Sequence, residues 1–304
     1  MRLLTYIVIF VLEYMYHIEY NKGGWARDIG LIEDIMKALN STNGKDFVHT
    51  VSVQGHGQYP NKKIDENHTI TMEGISSEAT KFGFEYYINE LHDMDIFIAS
   101  LTEQLSDFPE DVVLVMYGDH LPTFSIAEEQ LENGSIYQTE YIIWSNFGLE
   151  AEDKDIYAYE LTSHIMKLLG RNDGWTTKFH HTVSSEDPEF EKKYRAMEYD
   201  LLYGSSFLND GVRYEPTAMR LGISGVRIDG VYMMGEELHV TGENFNRFST
   251  IVVDGEEYDT KTLDGLTLSA IDVDIEDGSE VKVVQKRGTA LGGSNRIIYS
   301  APAE

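Results

Sequence analysis

The sequence predicts an α/β protein built as a partial sandwich of helices around a mostly parallel sheet, followed by a small antiparallel β-sandwich. In the first two thirds of the chain, helical periods alternate with short, continuously apolar strands, as in sheets covered on both faces. From about residue 219, short strands alternate with Gly, Asp and Asn turns, and the helical period is lost. We therefore divide the 304 residues into an atypical leader (1–11), an α/β domain ending in a helical connector (12–218) and a β-domain (219–304).

The N-terminal segment carries an apolar run from Leu3 to Leu12, which Glu13 interrupts. A run of about ten residues is too short to span a membrane, which needs roughly twenty. A single arginine precedes the run, but no small-residue cleavage site follows it. We interpret this segment as a buried strand or a spurious leader rather than as a working signal peptide.

Two helices are predicted by apolar residues that recur at helical spacing. The first lies in WARDIGLIEDIMKALNSTNG and is ended by Asn43-Gly44; its apolar positions are Ile29, Ile32, Ile35, Met36 and Leu39. The second is longer and is followed by Pro109; its apolar face comprises Phe84, Ile88, Leu91, Met94, Ile98, Leu101 and Leu105.

Three strands are predicted by β-branched and aromatic runs, at 46–53 (DFVHTVSV), 111–117 (DVVLVMY) and 140–146 (EYIIWSN). A helix is predicted over 155–170, where Gly170 ends it, and a helical connector over 184–211. Because strands alternate with helices, we expect a mostly parallel sheet.

The composition excludes several functional classes. There are 52 acidic and 24 basic residues, giving a net charge of -28, and a nucleic-acid role is improbable because phosphate binding needs a basic face. The absence of cysteine excludes disulfides, thiolate metal sites and a cysteine nucleophile.

Polar residues follow two of the predicted strands at the point where each strand ends. His56 lies in Gly55-His56-Gly57 after the first strand, and Asp119-His120 follow the second. In open α/β sheets, ligands bind outside the carboxyl ends of the strands. A carboxylate and an imidazole also suit a divalent cation such as Mn²⁺ or Zn²⁺, although a catalytic metal needs three or more protein ligands, so others must come from elsewhere.

Simpler interpretations exist for each of these residues. An Asp-His pair on a turn is often a hydrogen-bonded turn, and a Gly-His-Gly loop alone is no more specific. The remaining histidines are interpreted as surface or packing residues: His180 and His181 in a polar loop, and His92 and His164 on helices.

Four motifs in the same order indicate a family. GWARD, TVSVQGHGQYP, YGDHLP and EYIIWSNFG, with the later YRAMEYDLLYG, resemble the lipoteichoic acid synthases, which are phosphoglycerol transferases of the alkaline-phosphatase and sulfatase superfamily. The resemblance covers roughly residues 12 to 205. It implies a sulfatase-like sandwich around a largely parallel sheet.

The resemblance also implies roles for individual residues. Asp119 and His120 would be two ligands of one divalent cation, manganese first, with magnesium and zinc left open, and His56 would contact the phosphoglycerol group of the substrate. The implied substrate is a lipid-linked phosphoglycerol of the phosphatidylglycerol type, used in cell-envelope polymer synthesis. Family members are membrane-anchored and act at the extracellular face of the membrane.

The chain departs from the family pattern at its beginning. In the family, the strand bearing an acidic metal ligand and the threonine nucleophile both precede the GW.RD motif, but only 24 residues precede Trp25 here. Thr50, Thr69 and Thr71 match no nucleophile motif, so no catalytic residue can be assigned. Residues 1–10 do not resemble the family. We therefore expect a truncated or frame-disrupted product that is inactive, or nearly so, by itself.

The β-domain resembles an immunoglobulin-like TIG (IPT) domain, through the turn at Gly242, Asn244 and Phe245. Three hypotheses remain open. The chain is a phosphoglycerol transferase or phosphodiesterase module, a non-catalytic cell-surface binding remnant, or a relative of sulfatases and phosphoethanolamine transferases.

Overall fold

The computed structural model describes residues 7–9, 18–64, 69–150, 152–213, 219–221, 225–287 and 289–302. These residues form two compact units. One comprises residues 95–213, and the other comprises the described residues up to 94 together with those from 219 onwards. The predicted domain boundary at residue 218 and most of the predicted leader 1–11 lie outside the described residues.

Both helices predicted in the first third of the chain are present. A 3-10 turn at Asp28–Gly30 leads into α1, Leu31–Leu39, which buries Leu31 and Ile32. Helix α2 is Glu78–Ser106; its most buried apolar side chains are Tyr86, Phe97, Leu101 and Leu105. The apolar period therefore identified both helices.

The strand predicted at 46–53 is wrong, because those residues form no strand and pair with no described strand. The backbone N–H groups of Val53 and Gln54 instead donate to the Asp28 carboxylate, at 3.2 and 3.4 Å. A side chain therefore satisfies donors that a ladder would otherwise use.

The two other predicted strands are present as β2, Val113–Tyr117, and β3, Tyr141–Ser145. They pair with each other in antiparallel register, from Val113 opposite Ser145 to Tyr117 opposite Tyr141. The mostly parallel sheet is therefore wrong for this pair. A continuously apolar run indicates burial, but it does not determine the direction of the neighbouring strand.

Three helices follow β3 in the same unit: α3, Leu161–Leu168; α4, Trp175–Thr182; and α5, Phe190–Leu202. The prediction of a polar loop at His180 and His181 is wrong, because both lie on α4. Helix α4 lacks an apolar period and packs through aromatic rings instead, with Phe179 in edge contact with Phe190 at 5.3 Å between ring centroids.

The chain from residue 225 onwards forms two antiparallel sheets. In the first sheet the order is β5 (Arg227–Met234), β6 (Glu237–Glu243), β10 (Thr267–Ile271) and β9 (Lys261–Asp264). In the second, the order is β12 (Thr289–Gly293), β11 (Glu280–Arg287), β7 (Ser249–Val253) and β8 (Glu256–Glu257), and β13 (Ile297–Ile298) also pairs with β11.

Both of these sheets contribute to one hydrophobic core, which includes Leu238 and Leu268 from the first and Ile251 and Val283 from the second. The predicted antiparallel architecture is therefore present, whereas its assignment to the TIG class stays a prediction. A short parallel pair joins β1, Ile7–Ile9, to β4, Met219–Leu221.

Candidate functional site

The turn after β2 carries the first pair of predicted site residues. The Gly118 N–H donates to the Glu140 carbonyl at 3.2 Å, and the Thr139 hydroxyl donates to the Gly118 carbonyl at 2.6 Å. These bonds hold the backbone up to the end of the strand. The next two side chains, Asp119 and His120, project into solvent, with 80% and 52% of their surface exposed.

The two side chains are arranged like neighbouring ligands of one ion. His120 Nδ1 lies 2.9 Å from the Leu121 carbonyl oxygen, which can only accept, so Nδ1 is the donor in this contact and Nε2 is the nitrogen on the side of Asp119. Nε2 lies 3.6 Å from Asp119 Oδ1. Two ligands held about 2.1 Å from one ion lie roughly 3.0 to 3.6 Å apart, and a backbone carbonyl is a usual partner for the second nitrogen of a metal-bound histidine.

The pair fits a divalent cation in donor type and spacing, but it supplies two ligands only. Among the described residues, no group of three or more His, Cys, Asp or Glu side chains could hold a metal ion. The identity of the cation is left open by this donor set, since carboxylate and imidazole serve manganese, zinc and magnesium in varying combinations.

The second site segment is the loop that carries His56. Its N–H donates to the Val53 carbonyl at 3.0 Å, which closes a turn, and its Nδ1 lies 2.6 Å from the Gly57 carbonyl. The exposed imidazole meets the ring of Trp25 edge to face, at 4.9 Å between centroids. The structure therefore adds Trp25, which the sequence identified only as part of a motif.

Arg27, two residues after Trp25, is a partly buried cation. Arg27 Nη1 donates to Asp93 Oδ2 on α2 at 2.7 Å. The segment 25–27 therefore presents an indole and a guanidinium next to the His56 loop. A guanidinium is the side chain best suited to recognising phosphate oxygens.

Beneath the loop lies a buried polar network. Asp28 is 1% exposed and accepts from the N–H groups of Val53 and Gln54, and the Asp28 N–H donates to Gln54 Oε1 at 2.8 Å. The Gln54 amide then donates to Glu90 at 2.7 Å and to Asp93 at 2.9 Å. Burial raises the pKa of Asp28, and the charge of Glu90 raises it further, against the opposing effect of the two backbone donors.

The structure thus brings Asp119 and His120 together, and it places His56 beside Trp25 in the other compact unit. Thr50, Thr69 and Thr71 are exposed in non-helical segments. None of the three matches a nucleophile motif, so the nucleophile stays unassigned.

The two histidines of α4 pack against neighbouring groups rather than form a site. The His180 ring lies against Tyr159, Phe190 and Tyr194, with centroid distances of 5.5 to 5.7 Å. Burial lowers its pKa. His181 Nε2 lies 2.8 Å from the Ser163 carbonyl. Among the described helices, none is long and apolar enough to cross a membrane.

Comparison with known proteins gives three findings. A family model described as Sulfatase matches residues 8–171, more than half of the chain. A candidate cyclic β-1,2-glucan modification protein of Rhizobium meliloti (strain 1021) is 24% identical over 174 residues, which are 52% of this chain and 27% of that protein. The structure of the Streptococcus pyogenes phosphoglycerol transferase GacH in complex with sn-glycerol-1-phosphate has a TM-score of 0.52 and 20% identity, covering 64% of this chain and 54% of that chain.

The chain therefore spans about a quarter of the rhizobial relative and about half of the streptococcal one. At 20% identity, the structural likeness shows a shared fold.

Proposed function

Because the chain belongs to the sulfatase family, we propose that it takes part in phosphoryl transfer or hydrolysis on a phosphoglycerol group. The family match confirms the sulfatase part of the motif resemblance, and a phosphoglycerol transferase that shares the fold supports the proposal. The observation that carries the proposal is the Asp119–His120 pair at the tip of β2, whose donor atoms are 3.6 Å apart and exposed.

Asp119 Oδ1 and His120 Nε2 are proposed to bind a divalent cation, with manganese as the first candidate and magnesium and zinc as the others. Such an ion would neutralise charge on phosphoryl oxygens and activate a nucleophile. The Leu121 carbonyl fixes the tautomer of His120 that can bind it. Further ligands and the nucleophile are not assigned to residues of this chain.

His56, Trp25 and Arg27 are proposed to bind the phosphoglycerol group. The indole covers one side of the imidazole, so His56 can present a ring nitrogen to a phosphate or glycerol oxygen from a fixed orientation. The Arg27 guanidinium supplies positive charge in a strongly acidic chain. The donor is proposed to be a phosphatidylglycerol-type lipid, and the acceptor a cell-envelope polymer at the extracellular face of the membrane.

The metal proposal is tested by titrating Mn²⁺ into the purified chain and following free Mn²⁺ by electron paramagnetic resonance. Asp119→Ala and His120→Ala are expected to weaken binding tenfold or more, since loss of even an outer ligand partner costs about 10- to 100-fold. Asp111→Ala, an exposed carboxylate just before β2, is the matched control. Equal affinity in the wild type and both variants would refute this site.

The activity proposal is tested with Mn²⁺, phosphatidylglycerol and a chromogenic phosphodiester. We expect the 304-residue chain alone to turn over neither substrate, but to bind sn-glycerol-1-phosphate with an affinity that falls in His56→Gln. Turnover that disappears in Asp119→Ala would overturn the expected inactivity and establish an enzyme. Absence of both turnover and binding would favour the alternative, a non-catalytic binding protein of the cell surface.

A further inference from the structure

We propose that Asp28 and Gln54 form a reciprocal clamp that positions His56 against Trp25, and that this clamp sets the affinity for a phosphoglycerol group. The second half of this inference rests on the proposed function, and the first half does not. Asp28 and Gln54 are positioning residues, because they act through the orientation of His56.

The clamp joins two segments that are distant in sequence. Asp28 Oδ1 accepts from the N–H groups of Val53 and Gln54, and Gln54 Oε1 accepts from the N–H of Asp28 at 2.8 Å. Each residue therefore binds the backbone of the other segment. Asp28 lies three residues after Trp25, and Gln54 lies two residues before His56, so the clamp joins the two segments within three residues of the ring contact.

The His56 turn is built on the residues that the clamp holds. The His56 N–H donates to the Val53 carbonyl at 3.0 Å, while the Val53 N–H is fixed by Asp28. Without the carboxylate, the turn loses the bond that fixes its first residue. Because 45–53 has no strand partner, no ladder would replace that bond.

The clamp is itself anchored to a long helix. The Gln54 amide donates to Glu90 at 2.7 Å and to Asp93 at 2.9 Å, both on α2, and Asp93 also accepts from Arg27. Gln54 and Glu90 are 2% and 0% exposed. The long helix α2, rather than solvent, therefore holds the loop in its orientation.

The turn uses only one of the two carboxylate oxygens of Asp28, Oδ1. Asp28 Oδ2 is buried and makes no hydrogen bond to the described residues, and burial beside Glu90 raises the pKa of Asp28. An unsatisfied buried oxygen destabilises the fold. Costs of this kind are concentrated at functional sites.

The first test follows the imidazole directly. In a ¹H–¹³C spectrum, the Cε1–Hε1 cross-peak of His56 is identified by its loss in His56→Gln, and Trp25→Leu gives its position without the indole ring current. We expect Asp28→Ala to move the peak to the Trp25→Leu position. Asp28→Asn, which keeps the Oδ1 acceptor, should leave it near the wild-type position.

The matched control is Asp200→Ala. The Asp200 carboxylate also accepts from two backbone N–H groups, those of Phe207 and Leu208, both at 3.0 Å, in the other compact unit. It should leave the His56 peak unchanged. If Asp28→Ala does not fold, Gln54→Met removes the other half of the clamp, which is the Oε1 acceptor of the Asp28 N–H and the amide donor to Glu90 and Asp93, while nearly keeping the side-chain volume. It should displace the peak in the same direction. A wild-type peak position in folded Asp28→Ala or Gln54→Met would overturn the clamp.

The second test is calorimetric titration of the full chain with sn-glycerol-1-phosphate. Asp28→Ala should weaken binding roughly tenfold or more, because small displacements of a positioned group have effects of this size. Asp28→Asn and Asp200→Ala should bind like the wild type. Unchanged affinity in Asp28→Ala would overturn the link to binding. If the wild type does not bind, the proposed function fails, while the cross-peak still decides whether the clamp exists.

Discussion

At the scale of single residues, Gly23 is required by the packing of Tyr86. A Cβ added at position 23 would collide with the Tyr86 hydroxyl, which accepts a hydrogen bond from the Asn21 amide at 2.8 Å. Tyr86 is 2% exposed, so its ring has little room to move away. The segment before Trp25 therefore approaches α2 at a distance that only glycine allows.

We predict that Gly23→Ala lowers the free energy of unfolding by about 1–3 kcal/mol, the usual cost of overpacking. Urea denaturation measures it. Gly44→Ala is the control, because its Cβ would meet only the Thr42 hydroxyl at 3.6 Å. Adding Tyr86→Phe should recover part of the loss in Gly23→Ala by removing the colliding oxygen. Equal stability of Gly23→Ala and Gly44→Ala would contradict this account.

His180 makes stability depend on pH. Burial among Tyr159, Phe190 and Tyr194 lowers the pKa of His180 below its ordinary 6.5, an effect that Glu160 opposes and His181 reinforces. The unfolded chain therefore takes up the proton first as the pH falls. The neutral ring therefore stabilises the fold fully above about pH 6.5. As the pH falls from there through the lowered pKa of His180, this stabilisation is lost.

We predict that the free energy of unfolding declines between pH 7 and pH 5, and that His180→Phe reduces this decline. Met197→Ala, at a buried position of α5, is the control, because it removes apolar packing without removing a titrating group, and it should lower stability equally at every pH. Chemical denaturation at a series of pH values gives both slopes. A slope in His180→Phe identical to that of the wild type would rule out this role.

At the scale of elements, Asn146 joins the end of α2 to the start of β2. Its Oδ1 accepts from the Val112 N–H at 2.8 Å, and its Nδ2 donates to the carbonyls of Leu105 and Glu110 at 3.1 and 2.9 Å. One side chain thus satisfies backbone groups on both sides of the turn that leads into β2, the strand before Asp119.

We predict that Asn146→Ala destabilises the chain by about 1–3 kcal/mol, the cost of leaving partly buried backbone groups without partners. Hydrogen exchange of the Val112 amide should accelerate in Asn146→Ala but stay slow in Asn146→Asp, which keeps the accepting oxygen. Asn133→Ala, in an exposed loop, is the control. Slow Val112 exchange in Asn146→Ala would argue against the bridge.

Some of the secondary-structure elements could be predicted from sequence patterns, and others could not. Apolar periods located α1, α2 and α3 and the strands β2 and β3, because these elements bury a regular stripe or a continuous run. Helix α4 was missed because its stability comes from ring contacts with α5 rather than from its own period. Residues 46–53 have the composition of a strand, yet Asp28 takes their donors.

The candidate site likewise has one part that the sequence predicts and one part that it does not. The tip of β2 was predictable, since a carboxylate and an imidazole follow a strand directly and the motif is contiguous. The contact between Trp25 and His56 was not, because it joins residues 31 positions apart through hydrogen bonds of Asp28 and Gln54. Long-range polar contacts leave no periodic trace in a sequence.

At the scale of the whole molecule, one hydrophobic core lies within residues 225–302. Among the described residues, its twelve buried members all lie between Val226 and Tyr299, and most of them come from the two antiparallel sheets. Sheets that share a closed core can fold without further chain, provided the apolar area buried is large enough. The predicted β-domain 219–304 can therefore be examined alone.

We predict that a fragment of residues 219–304 folds by itself, giving dispersed amide resonances and a cooperative urea transition. Leu268→Ala, at a fully buried position of β10, should lower its stability by about 2–5 kcal/mol, whereas Leu266→Ala, 60% exposed in the preceding turn, should change it little. The same pair of substitutions should show the same difference in the full chain if the core is self-contained. Collapsed amide dispersion in the wild-type fragment would instead mean that this core depends on residues outside 219–304, and the predicted boundary would then have to be abandoned.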